Sequence, residues 1–372
     1  MATLHWNEVF AWRLSQQSLD KRARHGHMLD VVSRMGGAHA QLMSAAELSL
    51  WARVRDLTAL DVQQALWHDR TLVKTWAMRG TLHLVTATDF LLYIALFRTF
   101  IHYRRGSWLK YHGVTLDELE AIIEGVRSIL GDVGLTREQL AEALAEQTDT
   151  LKLLELLRSG WGALLKPSAF LGDLCFGPNQ GQQVTFVRPA AWLTMTPPSD
   201  EQHARETVIR RYLTTYGPAT IDELARWFGM EASAAKKHLR ALGNAVVEID
   251  VEGWTAWLLA DTLEQMVERT VSGVVRLLPH FDPYTIAVAR HHQYLMLAEH
   301  KTRVYRAQGW ISPVVLVDGE IVGVWKHEKQ QNHVVVQIEL FAPQTEQVKQ
   351  GIEEEAKRLG VFLETEVELV YI

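Results

Sequence analysis

The sequence predicts an α+β protein of three tandem winged-helix domains followed by a small C-terminal β-barrel, and three observations carry that prediction. Short helices opened by Ser or Thr caps, each set followed by a pair of alternating strands, recur three times, over residues 1–113, 114–199 and 200–272. From residue 273 to 372 the texture changes to strand-like runs with one clear helix. A chain of 372 residues is also long for one hydrophobic core and suits several small domains.

In the first segment, Met28 to Met35 reads as a helix stopped by Gly36-Gly37, which supplies the left-handed conformation a helix end favours. Ser44-Ala45-Ala46-Glu47 reads as a capping box that opens the next helix, so Ala38 to Met43 is a short interhelical loop. A third helix starts at Thr58 and runs to about His68. Val73 to Met78 and Thr81 to Val85 then form a hairpin that turns at Arg79-Gly80. In the second segment Thr115 and Thr136 open helices and a third runs through Leu151 to Arg158. Its strands are Asp173 to Phe176 and Gln182 to Val187. In the third, Ser199-Asp200-Glu201-Gln202 and Thr220-Ile221-Asp222-Glu223 are capping boxes, and Glu231 to Leu242 carries Lys236, Lys237, His238 and Arg240 where a recognition helix sits. Val246 to Ile249 and Trp254 to Leu259 form its hairpin. The last segment offers strands at Ser312 to Val317, Glu320 to Trp325 and His333 to Phe341, an Asp318-Gly319 turn and a helix from Thr345 to Leu359.

Composition excludes several classes. No apolar run approaches the roughly 20 residues of a membrane span, and Met1 to Glu8 lacks the order of a signal peptide, so a cytoplasmic location is expected. Cys175 is the only cysteine, which rules out an internal disulfide and multi-thiolate zinc sites and leaves it a buried small hydrophobe. The net charge of −6 is unevenly spread: residues 1–113 carry +6 and eight of the sixteen histidines, while the three later segments carry −5, −4 and −3. A basic face on an acidic body suits a protein that grips phosphates, because local potential attracts a polyanion.

Two segments draw attention as a site. His39 and Gln41 lie off both flanking helices, and in locally extended backbone residues two apart point to the same side. An imidazole and a carboxamide placed so can position a water, although such residues also commonly cap helices or face solvent. Arg79-Gly80-Thr81-Leu82-His83 puts Arg79 at a hairpin tip, within reach of a phosphate or a minor groove, with Thr81 and His83 beside it. Lys326 and His327 begin a polar tip, through His333, between two C-terminal strands. His291-His292 and His300 lack a carboxylate or cysteine at a recognised ligand spacing, so no metal site is expected. Asp282 is read as a structural brace, and Trp51 and Trp76 as possible liners of the site.

Arg79 to Val85, Leu174 to Pro178 with Val184 to Pro189, Tyr216 to Thr220, Leu277 to Tyr284 and Gly309 to Pro313 follow one another along the chain. Through these stretches the sequence resembles the AlkZ-like family of winged-helix DNA glycosylases. The resemblance implies a monofunctional glycosylase that hydrolyses the N-glycosidic bond of N7- or N3-alkylated purines, bulky adducts or interstrand cross-links among them, in double-stranded DNA. It further implies no metal or cofactor, and a monomer is expected. The family's catalytic signature of Gln, an apolar residue, then Gln or Asp falls on His39-Ala40-Gln41, with His in place of the first Gln. His39 and Gln41 are therefore the expected catalytic residues, and Arg79, Thr81, His83, Lys326 and His327 the expected DNA contacts. The rival expectation is a non-catalytic winged-helix transcriptional regulator, weakly favoured by the Lys236 to Arg240 helix.

Overall fold

The computed structural model describes residues 2–148, 151–159, 162–288 and 292–372. It is a mixed α+β chain that divides into two compact units, one of Met1–Val62, Ile209–Trp227 and Glu231–Ile372, the other of Gln63–Val208 and Phe228–Met230. The division passes between Val62 and Gln63, inside the first predicted segment.

The second unit is organised by two hairpins. Leu72–Trp76 pairs antiparallel with Leu82–Thr86, Thr75 opposite His83, and the turn falls at Arg79-Gly80 as the sequence predicts. Cys175–Gln180 pairs with Gln183–Val187, and the short strand Leu135–Thr136 joins it at Phe186 and Thr185. This hairpin is longer than the sequence suggests, because pairing resumes at Gln180 opposite Gln183 beyond an irregularity that follows Gly177. Trp76 packs its ring on Phe176 and Phe186, at 4.9 and 6.0 Å, so it is a core residue and not a site liner. Local capping fixes the helices. Thr115 accepts from the Glu118 N–H while Glu118 accepts from the Thr115 N–H, opening Leu116–Ile129, and Thr136 and Gln139 do the same for Arg137–Thr148. Cys175 is buried, and burial pushes its thiol pKa up.

In the first unit, helix Trp6–Gln16, helix Met28–Met35 and helix Met43–Trp51 share a core with the C-terminal portion of the chain. The last of these helices begins one residue before Ser44, with Leu42 at its N-cap and no side-chain cap bond, because Ser44 already lies inside the first turn. The Glu201–Tyr216 helix is likewise capped by Asp200 rather than Ser199: the Asp200 carboxylate accepts from the N–H groups of Gln202 and His203. Thr220 and Glu223 form the predicted box for Ile221–Phe228, and Ala232–Ala241 follows with Lys236, Lys237 and Arg240 exposed. The hairpin Val246–Val251 with Trp254–Leu259 turns through Glu252 and Gly253, both at positive φ, as a two-residue turn requires. Ala2–Leu4 adds a parallel strand to it, which no local pattern announces.

The C-terminal sheet has five strands in the order Val275–Leu278, Val314–Val317, Glu320–Lys329, His333–Leu340 and Glu366–Tyr371. The first four pair antiparallel; the last joins parallel after the helix Glu346–Phe362. The expected closed or nearly closed barrel is thus a curled sheet with Val275–Leu278 and Glu366–Tyr371 as its two edges, and the same helix packs against both. Asp318-Gly319 makes the predicted turn, with Gly319 at φ 101° and backed by Phe10.

Candidate active site

The His39 loop is fixed at its N-terminal flank by contacts within the first unit. Helix Met28–Met35 stops at Gly36, whose φ of 70° is left-handed, and the Gly37 N–H donates back to the Val32 carbonyl. The last carbonyls of that helix are held from elsewhere in the chain: Thr215 Oγ1 donates to the Arg34 carbonyl and Tyr216 Oη to the Met35 carbonyl, both at 2.6 Å. The backbone then extends through Ala38–His39. His39 is 5 % exposed and its ring lies 4.8 Å from that of Phe281. The extended stretch ends there, before Gln41, which is exposed. The two side chains therefore come from one short loop but sit at different depths, the imidazole in the wall and the carboxamide at the surface.

Behind Phe281 stands a buried ion pair. Arg53, two residues past the Met43–Trp51 helix, donates from Nη1 and Nη2 to Asp282 Oδ2 and Oδ1 at 2.8 and 2.7 Å, and both side chains are fully buried. Arg53 also donates to the Ser49 carbonyl and to Gln17. Asp282 additionally caps the short helix Pro283–Ala287 by accepting from the Tyr284 N–H. Phe281 itself is held at φ 57°, a conformation a bulky residue adopts only where its surroundings impose it. Asp282 is thus the structural brace the sequence suggested. Trp51 is buried beneath the Arg358 guanidinium, 4.9 Å from the ring centre, and is core.

From Phe281 an aromatic series continues outward. Trp310, 43 % exposed, lies 5.2 Å from Phe281 and 5.7 Å from His280, whose Nδ1 donates to the Ile311 carbonyl. The hairpin tip that begins at Lys326 and His327 is exposed, with the His327 ring stacked on Trp325 at 5.6 Å. Desolvation of that imidazole and the neighbouring charge of His280 lower the His327 pKa. The fold thereby gathers His39, Phe281, His280, Trp310 and His327 in one unit. Sequence reasoning missed Phe281 and Trp310, although both sit in the stretches Leu277 to Tyr284 and Gly309 to Pro313.

Arg79, Thr81 and His83 lie in the second unit. His83 is 1 % exposed and its Nδ1 faces the Thr81 carbonyl at 3.0 Å, which requires the proton on Nδ1 and leaves Nε2 to accept from Arg79 Nη2 at 3.5 Å. Thr81 Oγ1 donates to the Met78 carbonyl. Arg79 is half-buried at φ 59°, with Gly229 so close behind it that a Cβ there would lie 2.9 Å from the Arg79 Cα. Its guanidinium is consequently a held group on a strained turn and not a free tip. His300 stacks on Phe341 at 4.2 Å, and His291 lies outside the described residues. Among the described residues no three His, Cys, Asp or Glu side chains gather as a metal site, and no helix is long and apolar enough to cross a membrane.

The family model for "DNA glycosylase AlkZ-like" matches residues 32–362, a span that includes the His39 loop, the Arg53–Asp282 pair and the first four strands of the C-terminal sheet. The chain belongs to the AlkZ-like DNA glycosylase family. It is 39 % identical over 337 residues to an interstrand DNA cross-link repair glycosylase of Streptomyces sahachiroi, covering 88 % of this chain and 89 % of that protein. Its structure is similar to that of the Streptomyces sahachiroi DNA glycosylase AlkZ, with a TM-score of 0.89, 35 % identity and full coverage of both chains. This glycosylase is accordingly a DNA-repair hydrolase that acts on N-glycosyl bonds, which sets aside the regulator expectation.

Proposed function

We propose that this glycosylase excises N7- or N3-alkylated purines from double-stranded DNA, bulky adducts and interstrand cross-links included, with a water held between His39 and Gln41. The observation that carries the reading is the loop's placement: an imidazole set into the wall against Phe281, and a carboxamide two residues on that faces solvent. An alkylated purine already bears positive charge, so it leaves readily and the sugar develops oxocarbenium character without a strong base. Gln41 accepts from and orients the water; neutral His39 takes its proton as the oxygen bonds to C1′ and the base departs. Undamaged purines leave too reluctantly for so mild a site. Such chemistry asks for neither metal nor cofactor, and neither His39 nor Gln41 offers an amine for a lyase step. The three helix-and-hairpin segments are read as winged helices, and Arg79, Thr81, Lys326 and His327 as DNA contacts, with the buried His83 acting through its hydrogen bonds to Thr81 and Arg79. The S. sahachiroi relative's name supports cross-links as substrates.

The test is incubation with duplexes carrying N7-methylguanine or a defined interstrand cross-link, followed by alkaline cleavage. Enzyme-dependent strand breaks are expected, reduced about 10²-fold in Gln41→Ala, since positioned general-base catalysis is worth roughly that much. Lesions that stay intact with both duplexes, or full activity in Gln41→Ala, would overturn the assignment.

A further inference from the structure

The second unit contains a cavity of about 340 Å³ that the chemistry at His39 and Gln41 does not use. Arg79, His102, His112 and Lys166 line it, together with the rings of Trp108 and Phe170. No carboxylate is among the described residues that line it. Lys166 is half-buried, forms no ion pair among the described residues, and its amine lies beside the Arg79-Gly80 turn, where a Cβ on Gly80 would meet Nζ at 3.6 Å. Burial lowers its pKa, and its charge adds to the desolvation that lowers that of His112. The cavity is therefore short of negative charge, and an anion placed there would relieve both effects.

The ring half of the lining is equally specific. The Trp108 and His112 rings stand 4.1 Å apart at one side, and Phe170 is buried at another. The surrounding segment, residues 101–112, reads Ile-His-Tyr-Arg-Arg-Gly-Ser-Trp-Leu-Lys-Tyr-His, with three Lys or Arg, two His, three other aromatic side chains and no acid. Cations interleaved with aromatics are what proteins use to hold phosphate and base together. The volume also falls in the range of roughly 300–1,000 Å³ typical of small-ligand pockets. We propose that this cavity is a binding site for a nucleoside monophosphate unit, its phosphate on Lys166 and Arg79 and its base against Trp108. The unit comes either from a DNA strand or from free nucleotide, and the site is independent of which lesion is excised.

Photo-cross-linking tests it directly. The full chain is irradiated with 5-iodo-dUMP, or with a single-stranded oligonucleotide carrying one 5-iodouracil, and the adducts are mapped by mass spectrometry. Adducts are expected within residues 100–112 or 163–170, at least tenfold fewer in Lys166→Gln and retained in Lys166→Arg, as one charge-assisted contact to phosphate is worth about that factor. Labelling by the oligonucleotide alone assigns the site to a strand, and labelling by dUMP to free nucleotide; either supports the proposal. No adduct in those segments with either probe overturns it, as does an unchanged yield in Lys166→Gln that keeps the parent's circular dichroism. Competition by inorganic phosphate as effective as that by dUMP overturns the base-binding half. N7-methylguanine excision, measured on the same preparations, separates the two readings, since excision without adducts sinks only this one and adducts without excision sink only the other.

Discussion

Asp282→Asn should destabilise the protein by about 3 kcal/mol or more and slow excision as well. Asp282 Oδ1 accepts from Arg53 Nη2 and from the Tyr284 N–H, and Oδ2 accepts from Arg53 Nη1. Asparagine can keep the Oδ1 contacts, so the helix cap survives. Its amide nitrogen then faces Nη1, donor against donor, and the fully buried guanidinium loses its counter-charge. Removing one partner of a buried ion pair costs about 3–5 kcal/mol, and the surviving Oδ1 contacts put this case near the lower end. Adding Arg53→Met removes the stranded charge, so the double variant should be more stable than the sum of the two single changes predicts, by about 2 kcal/mol. Phe281 adjoins Asp282 and forms the wall beside His39, so a relaxed loop shifts the imidazole. A displacement near 1 Å can cost roughly 10²-fold in rate. Urea unfolding of the parent, both singles and the double gives the cycle, and single-turnover excision at a temperature where all remain folded gives the functional arm. A loss under about 1 kcal/mol in Asp282→Asn, or strict additivity in the double variant, would refute the brace.

If the His39 imidazole accepts the water proton, excision falls as pH drops and the imidazole takes up a proton. His39→Gln should remain active and lose that fall; superimposable single-turnover profiles from pH 5 to 8 would leave His39 a positioning role only. Gly319→Ala should cost at least about 2 kcal/mol in urea unfolding, because the new Cβ would lie 2.5 Å from Phe10 Cβ at a φ of 101°, combining overpacking with backbone strain. His327 has a lowered pKa, so its contribution to stability is present above the ordinary imidazole pKa and is lost as pH falls through the lowered value. His327→Gln should therefore lose less stability than the parent between pH 7 and pH 5, and an equal loss would place the acid-sensitive group elsewhere. Lys326→Ala should flatten the logarithmic salt dependence of duplex binding by about one unit if its exposed ammonium meets a phosphate, and an unchanged slope would remove it from the interface.

Most of the local architecture was legible in the sequence because it is made by bonds between neighbours. The Thr115, Thr136 and Thr220 boxes close over three residues, the Asp318-Gly319 turn demands positive φ at adjacent positions, and Gly36 ends its helix in the left-handed conformation. Other short stretches, Arg79 to Val85 and Leu277 to Tyr284 among them, carried the family resemblance, and with it the loop His39-Ala40-Gln41. Where two adjacent residues compete for one cap, as Ser199 and Asp200 do, the local pattern misplaces the boundary by one residue. What the sequence could not contain is which distant segments meet. The pairing of Ala2–Leu4 with the Val246–Val251 strand, the parallel strand Glu366–Tyr371 beside His333–Leu340, and the burial of Trp51 and Trp76 all depend on surfaces brought together from far along the chain. The site follows the same division. Its residues stand in the sequence, but the depth of His39, the Phe281 wall against it and the Arg53–Asp282 pair behind that wall join residues more than two hundred positions apart. Such contacts form only when burial of the whole core offsets the entropy of closing so long a loop, and no pattern within a few residues records that balance.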